Sequence, residues 1–172
     1  PKSLEQAQQA VQDDPQSAPK QVKLALAYLG DGKQLEAAAA LEAALKLDPA
    51  EPNALFIKLR FHLAKKELDP AKAIVDKLIK GGHDGYAVRM KAADIAEAKD
   101  DKAGMKEQLF AAHRLDPSQA EPLQALYDLA HKQGIEDDEL FALRKLGLVD
   151  QHDRRVYNRL LRLLVKRGLW EE

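Results

Sequence analysis

The chain has 172 residues, a formal net charge of −1, no cysteine and only 5% aromatic residues. Near-neutrality argues against a general nucleic-acid binder, which is clearly basic, and the lack of cysteine excludes a disulfide framework and a thiol nucleophile. Ala, Leu, Lys, Glu, Asp and Gln dominate, most of them strong helix formers, and Leu and Ala are abundant enough to bury a core, so an all-α fold is expected.

Residues 1–17 read as one helix, with Ser3, Ala7 and Ala10 on a face and Pro15 closing it. From 18 to 51 the pattern is helix–turn–helix. Leu24, Ala25 and Tyr28 share a face, Gly30-Asp31-Gly32 stops the first helix, and Ala37, Leu41 and Ala44 mark the second, which ends at Asp48-Pro49. From 52 to 85 the marks are Leu55, Leu59 and His62, then Ala71, Val75 and Leu78, with Asp69 as N-cap and Pro70 in the first turn of that second helix. From 86 to 119 they are Ala92, Ala93 and Ala96, then Met105, Leu109 and Ala112, closed by Asp116-Pro117. From 120 to 153 Leu123, Leu126, Tyr127 and Ala130 precede Glu139, Leu143 and Leu146. This copy has no closing Pro and carries Glu139 where a small residue is expected, so its second helix is expected to be tilted or short. Residues 154–172 offer one more first helix, with Tyr157, Leu160, Leu161 and Leu164, a break at Lys166-Arg167-Gly168, and the apolar start Leu169-Trp170.

Pro15 and Pro49 are 34 residues apart, and Pro49 and Pro117 are twice that. A helical chain with a period of 34 resembles the tetratricopeptide repeat. The large–small–aromatic first-helix signature is similar to Leu24, Ala25 and Tyr28, and the small–large–small second-helix signature to Ala37, Leu41 and Ala44, with Pro49 terminal and Gln21 in place of the usual Trp. The resemblance implies a right-handed α-α superhelix, a single solenoid over 1–172 with full repeats at 18–51, 52–85, 86–119 and 120–153. The partial repeats at both ends lead to the expectation of a piece of a longer array. Faces at those ends (Leu4, Ala7 and Val11 at one, Leu160, Leu164 and Trp170 at the other) are expected to self-associate end to end.

Catalytic and metal patterns are absent. The five histidines, His62, His83, His113, His131 and His152, never stand four apart, and no His-Glu-x-x-His occurs. Glu136-Asp137-Asp138-Glu139 opens a helix, where negative charge suits the macrodipole. Gly81-Gly82-His83-Asp84-Gly85 has neither the preceding strand nor the following Lys-Ser/Thr of a phosphate loop, and reads as a C-cap and turn. No Gly-x-Ser-x-Gly is present, no cofactor is implied, and the longest apolar run, Ala37 to Leu47, is broken by Glu42 and Lys46, short of the roughly 18 residues of a membrane span.

The resemblance places partner binding on the concave wall of first helices. The wall positions are Val22, Lys23, Leu26 and Leu29; Asn53, Phe56, Ile57, Arg60 and Leu63; Met90, Lys91, Asp94 and Glu97; Glu121, Gln124, Asp128 and His131; and Arg155, Asn158, Arg159, Arg162 and Lys166. The wall runs from apolar through acidic to basic, with Phe56 and Met90 as expected anchors. The Lys/Asn carboxylate clamp of chaperone-binding members is not matched at Val22 and Leu26, Phe56 and Arg60, Met90 and Asp94, or Gln124 and Asp128; only Arg155 and Arg159 resemble its last basic pair. The expected function is a non-catalytic scaffold binding a protein or peptide, in bacterial envelope assembly, secretion or polysaccharide export, with the periplasm slightly favoured. The competing readings are an accessory domain of a larger enzyme and a nucleic-acid-binding helical repeat, the latter opposed by Asp94, Glu97, Glu121 and Asp128.

Overall fold

The computed structural model describes residues 2–169, and these form helices joined by short connections, with no strand among the described residues. The order is α1 (Lys2–Asp13), α2 (Ala18–Gly30), α3 (Gln34–Leu47), α4 (Pro52–Ala64), α5 (Leu68–Lys80), α6 (Tyr86–Ala98), α7 (Lys102–Leu115), α8 (Glu121–Gln133), α9 (Glu136–Val149) and α10 (Arg154–Lys166). The second helices α3, α5, α7 and α9 start at Gln34, Leu68, Lys102 and Glu136, each 34 residues after the last.

Two turn types hold this interval. Every full first helix, and α10, ends in a left-handed residue: Gly32, Lys66, Asp100, Gly134 and Gly168, with φ between 54° and 75°. The following backbone N–H reaches back to a carbonyl five residues earlier, as Lys33 to Tyr28 at 2.9 Å, Asp101 to Ala96 at 2.8 Å and Ile135 to Ala130 at 3.0 Å. This is the Schellman arrangement, which satisfies carbonyls the helix end leaves free. The second helices α3, α7 and α9 end differently. Asp48, Asp116 and Asp150 leave helical geometry, and each carboxylate accepts from the backbone N–H two residues on, of Ala50 (2.8 Å), Ser118 (3.2 Å) and His152 (2.9 Å). Asp150 thus closes its copy without the missing Pro.

Three sequence expectations are corrected here. The N-cap of α5 is Glu67, and Asp69 and Pro70 lie inside the first turn, where Pro costs no hydrogen bond because those N–H groups have no intrahelical partner. Helix α9 has 14 residues, as many as α3 and α7, and Asp150 closes it as Asp48 and Asp116 close those two. On α10, Val156 and Leu163 are the buried residues, whereas Tyr157 and Leu161 are exposed and Leu160 and Leu164 only partly covered. Their equivalents on α8, Leu123, Leu126, Tyr127 and Ala130, are buried because α9 packs over them; no described helix covers that side of α10.

The chain divides into two compact units, one ending at Asp84 and one starting at Gly85. The division falls at Gly81–Gly85, where α5, unlike α3, α7 and α9, ends in the left-handed Gly82 (φ 82°) rather than an Asp-capped turn. In the first unit Val22, Leu24 and Ala25 of α2 pack with Ala40, Leu41 and Ala44 of α3, Ala54 and Ile57 of α4, and Leu4 of α1. Leu4 is therefore core rather than free end surface, and Ala7 and Val11 are partly covered by the same packing on α2. In the second unit Met90 and Ala93, Leu109 and Ala112, Leu123, Leu126 and Tyr127, Leu140, Leu143 and Leu146, and Val156 and Leu163 form the core. Small residues with no exposed surface, such as Ala25, Ala44, Ala112 and Ala142, let the helices approach closely. Trp170 lies outside the described residues.

Candidate partner-binding wall

Side chains 34 residues apart occupy equivalent positions on the first helices and form a column within each unit. One such column, Leu26 and Arg60 in the first unit and Asp94, Asp128 and Arg162 in the second, is exposed. The column one turn earlier is not. Val22 and Met90 are 3% and 8% exposed and belong to the two cores, Phe56 and Gln124 are half-buried, and only Asn158 is open. Ile57 is also core. The expectation that Val22, Ile57 and Met90 present apolar surface is therefore corrected: each is packed into the core of its own unit. Met90 packs with Leu123 and Leu126, and Val22 with Ala54 and Ile57. Arg155, Arg159 and Lys166 are exposed, as are Lys23, Asn53, Glu97, Glu121 and His131.

In the second unit two clefts flank α8. The larger, of about 620 Å³, lies between α8 and α10 with the start of α9 as its floor. Tyr127 and His131 stack, with centroids 5.6 Å apart and planes at 12°, and the Arg159 guanidinium lies 5.0 Å from the Tyr127 centroid. Arg162 and Lys166 complete the basic side. Lys166 pairs with Glu136, whose hydrogen bond and charge hold the ammonium above its ordinary pKa. Glu139 meets His131 at 3.0 Å, and Arg167 meets Asp137 at 2.7 Å. Asp138 is bonded by Lys106 of α7. The acidic start of α9 thus ties α7, α8 and α10 together besides suiting its own dipole, a role invisible to a reading of the four residues as caps alone. Among the described residues Arg162 forms no hydrogen bond or ion pair, and Arg155 pairs with its neighbour Asp153.

The smaller cleft, about 270 Å³, opens between α6, α7 and α8 and is lined by Glu97, Asp100, Lys102, Met105, Asp128 and Lys132, among others. Lys102 lies 4.0 Å from Asp100. Asp128 accepts from Gln124 at 3.1 Å, and Asp94 is held by Lys91 at 2.7 Å. Among the described residues no group of three or more His, Asp or Glu is placed to hold a metal, and no helix is long and apolar enough to cross a membrane.

No protein-family model matches the chain, and no curated protein sequence matches it either. Solved structures do. YrrB, a TPR protein with an unusual peptide-binding site, superposes with a TM-score of 0.75 at 14% identity, over 95% of this chain and 84% of its own. PilF of Pseudomonas aeruginosa gives 0.74 at 18% identity, over 98% and 80%. TTC0263, a thermophilic TPR protein of Thermus thermophilus, gives 0.59 at 18% identity, over 89% and 84%. The fold is the tetratricopeptide-repeat fold.

Within that fold the chain has its own chemistry. The tetratricopeptide pattern puts a small residue where Glu139 stands; here its side chain is 12% exposed and reaches outward along α8 to His131. On the second-helix side, Phe110 and Phe141 pack at 5.2 Å and His113 meets Phe141 edge-on at 6.3 Å. His113 has a buried Nδ1 with no hydrogen-bond partner among the described residues, and burial, then the charge of Lys145, push its pKa below the ordinary value.

Proposed function

We propose that this protein is a non-catalytic scaffold that recruits a protein or peptide through the exposed column of its first helices. The observation that carries the reading is Arg162: an unpaired guanidinium on that column, in a cleft of about 620 Å³ beside an Arg159–Tyr127–His131 stack. An Arg fork suits a carboxylate, and an aromatic–Arg surface suits an interface centre. In the first unit the 48% exposed Leu26 stands at the equivalent repeat position and offers an apolar contact point. Sharing a fold with YrrB, whose peptide-binding site is described, supports the reading. The setting we favour, from the Ala- and Gln-rich texture of the sequence, is an assembly or secretion complex of a bacterial envelope.

The test compares captured partners for the wild type, a wall variant (Leu26→Glu with Arg159→Glu) and a control on a second helix (Glu42→Lys). All three substitutions fall on exposed residues, so the fold is retained, which circular dichroism checks. The wall variant loses partners that the control keeps. Equal capture by wild type and wall variant refutes the wall.

A further inference from the structure

The second unit carries a charge order that constrains what the wall can hold. Its three first helices present Asp94, Asp128 and Arg162 at equivalent, exposed positions. The neighbouring charges must be counted before this order means anything. In the larger cleft Lys166 is neutralised by Glu136, and Glu139 only hydrogen-bonds the His131 ring, so Arg159 and Arg162, neither with an ion-pair partner, outweigh the single carboxylate of Glu139. In the smaller cleft Lys102 is engaged with Asp100, and what remains is Glu97 and Asp128 against a single Lys132. Asp94 is balanced by Lys91. The surface therefore has a cationic pole on α10 and a weaker anionic pole where α6 meets α8, with α8 as the ridge between the two clefts.

The spacing of the poles follows from helix packing. Packed helices lie about 8–10 Å apart, so Asp128 on α8 stands about 10 Å from α10 and Glu97 on α6 about 20 Å. Both exceed the roughly 8 Å over which charges act through physiological salt, so each pole selects its own counter-charge. An extended chain rises about 3.3 Å per residue, so about three to six residues link the poles. We propose that the wall of the second unit is built for a charge-segregated peptide: an extended segment with acidic side chains at Arg159 and Arg162 and basic side chains about three to six residues away at Asp128 and Glu97. The proposal rests on the wall reading above and narrows it to one class of partner. A uniformly acidic segment gains at α10 and is repelled at α6 and α8; a uniformly basic one suffers the reverse.

Four end-capped, fluorescein-labelled peptides test this by anisotropy with the full chain at physiological salt. The first has two lysines and two glutamates about six residues apart, the second the same residues interleaved, the third lysines only and the fourth glutamates only. The segregated peptide binds about tenfold tighter than the interleaved one, the sum of two partly exposed charge contacts. Arg162→Glu sets a carboxylate beside Arg159 and cancels the cationic pole, so the preference for the segregated peptide is lost while the all-lysine peptide gains. Equal binding of segregated and interleaved peptides, or an unchanged ranking in Arg162→Glu, overturns the proposal. If no peptide binds while partner capture still depends on Leu26 and Arg159, the charge-order proposal fails and the wall stands; if capture is also indifferent to those residues, both fail.

Discussion

Replacing Lys66 by glycine should stabilise this protein although it removes a side chain and adds no contact. Lys66 stands at φ 59° in the turn between α4 and α5, a position held by glycine in three of the five equivalent turns, at Gly32, Gly134 and Gly168. A left-handed backbone costs a residue with a Cβ about 1–2 kcal/mol. Glycine escapes that cost but loses about 0.5–1 kcal/mol more conformational freedom on folding. The difference leaves Lys66→Gly more stable by about 0.5–1 kcal/mol, or about 2 °C in melting temperature for a chain of this size. The reciprocal change, Gly134→Ala, meets nothing within 4 Å, so no clash contributes and the loss of about 1 kcal/mol is conformational alone. Urea unfolding followed by circular dichroism measures both, and native-state hydrogen exchange should place the Lys66→Gly gain in α4 and α5. A less stable Lys66→Gly with an unchanged denaturant slope would refute the conformational argument. Asp100→Gly should gain less, because Asp adopts this geometry more readily than Lys.

Three further outcomes follow from the packing and the titrating groups. Leu123 has no exposed surface, and Leu123→Ala should cost about 3–4 kcal/mol: about 2.4 for the lost methylenes and the rest for the cavity, with exchange protection falling first in the unit after Gly85. Because burial and Lys145 depress the folded-state pKa of His113 below 6.5, the unfolded chain binds the proton first; the contribution is full above pH 6.5 and is lost as pH falls below it, and His113→Gln should flatten the urea midpoint over that range. Tyr86 is pushed up to about 12 by burial, then by its 3.0 Å hydrogen bond to Glu121 and the charges of Glu121 and Asp116, so its stabilisation is full below pH 10 and is lost as pH rises towards 12; an ultraviolet titration should show a phenolate component near pH 12 that Tyr86→Phe abolishes.

The second helices were legible because their signals are local and one-sided. Ala37, Leu41 and Ala44, and likewise Ala71, Val75 and Leu78, are the buried positions the pattern marked. The first helices were harder, because a helix between two neighbours buries more than one stripe. Splitting each into a packing face and a wall face misplaced Val22, Ile57 and Met90. A signal was present: Val22, Phe56 and Met90 are large and apolar at the same position of three successive copies, whereas the exposed column below them changes from Leu26 to Arg60 to Asp94. Positions that stay apolar across copies are packed; positions that vary are free to meet a partner. The cross-helix pairs of the α9 start were not legible, since pairing Lys106 with Asp138, or Lys166 with Glu136, needs the helices already docked. Nor were Lys66 and Asp100, which adopt a glycine geometry without being glycine.

The constant interval between second-helix starts has a consequence for how such a molecule can change. Because the same left-handed turn precedes Gln34, at Gly32, and closes the next first helix, at Lys66, a stretch cut from Gln34 to Glu67 begins and ends in matching backbone geometry. Duplicating it inserts one more helix pair without inventing a new connection, and deleting it heals the chain across an equivalent joint. The added first helix then brings one more exposed side chain at the repeat position held by Leu26, Arg60, Asp94, Asp128 and Arg162. Growth by whole copies and drift at one exposed position per copy are separate processes, so this architecture can change its length independently of the chemistry at that position.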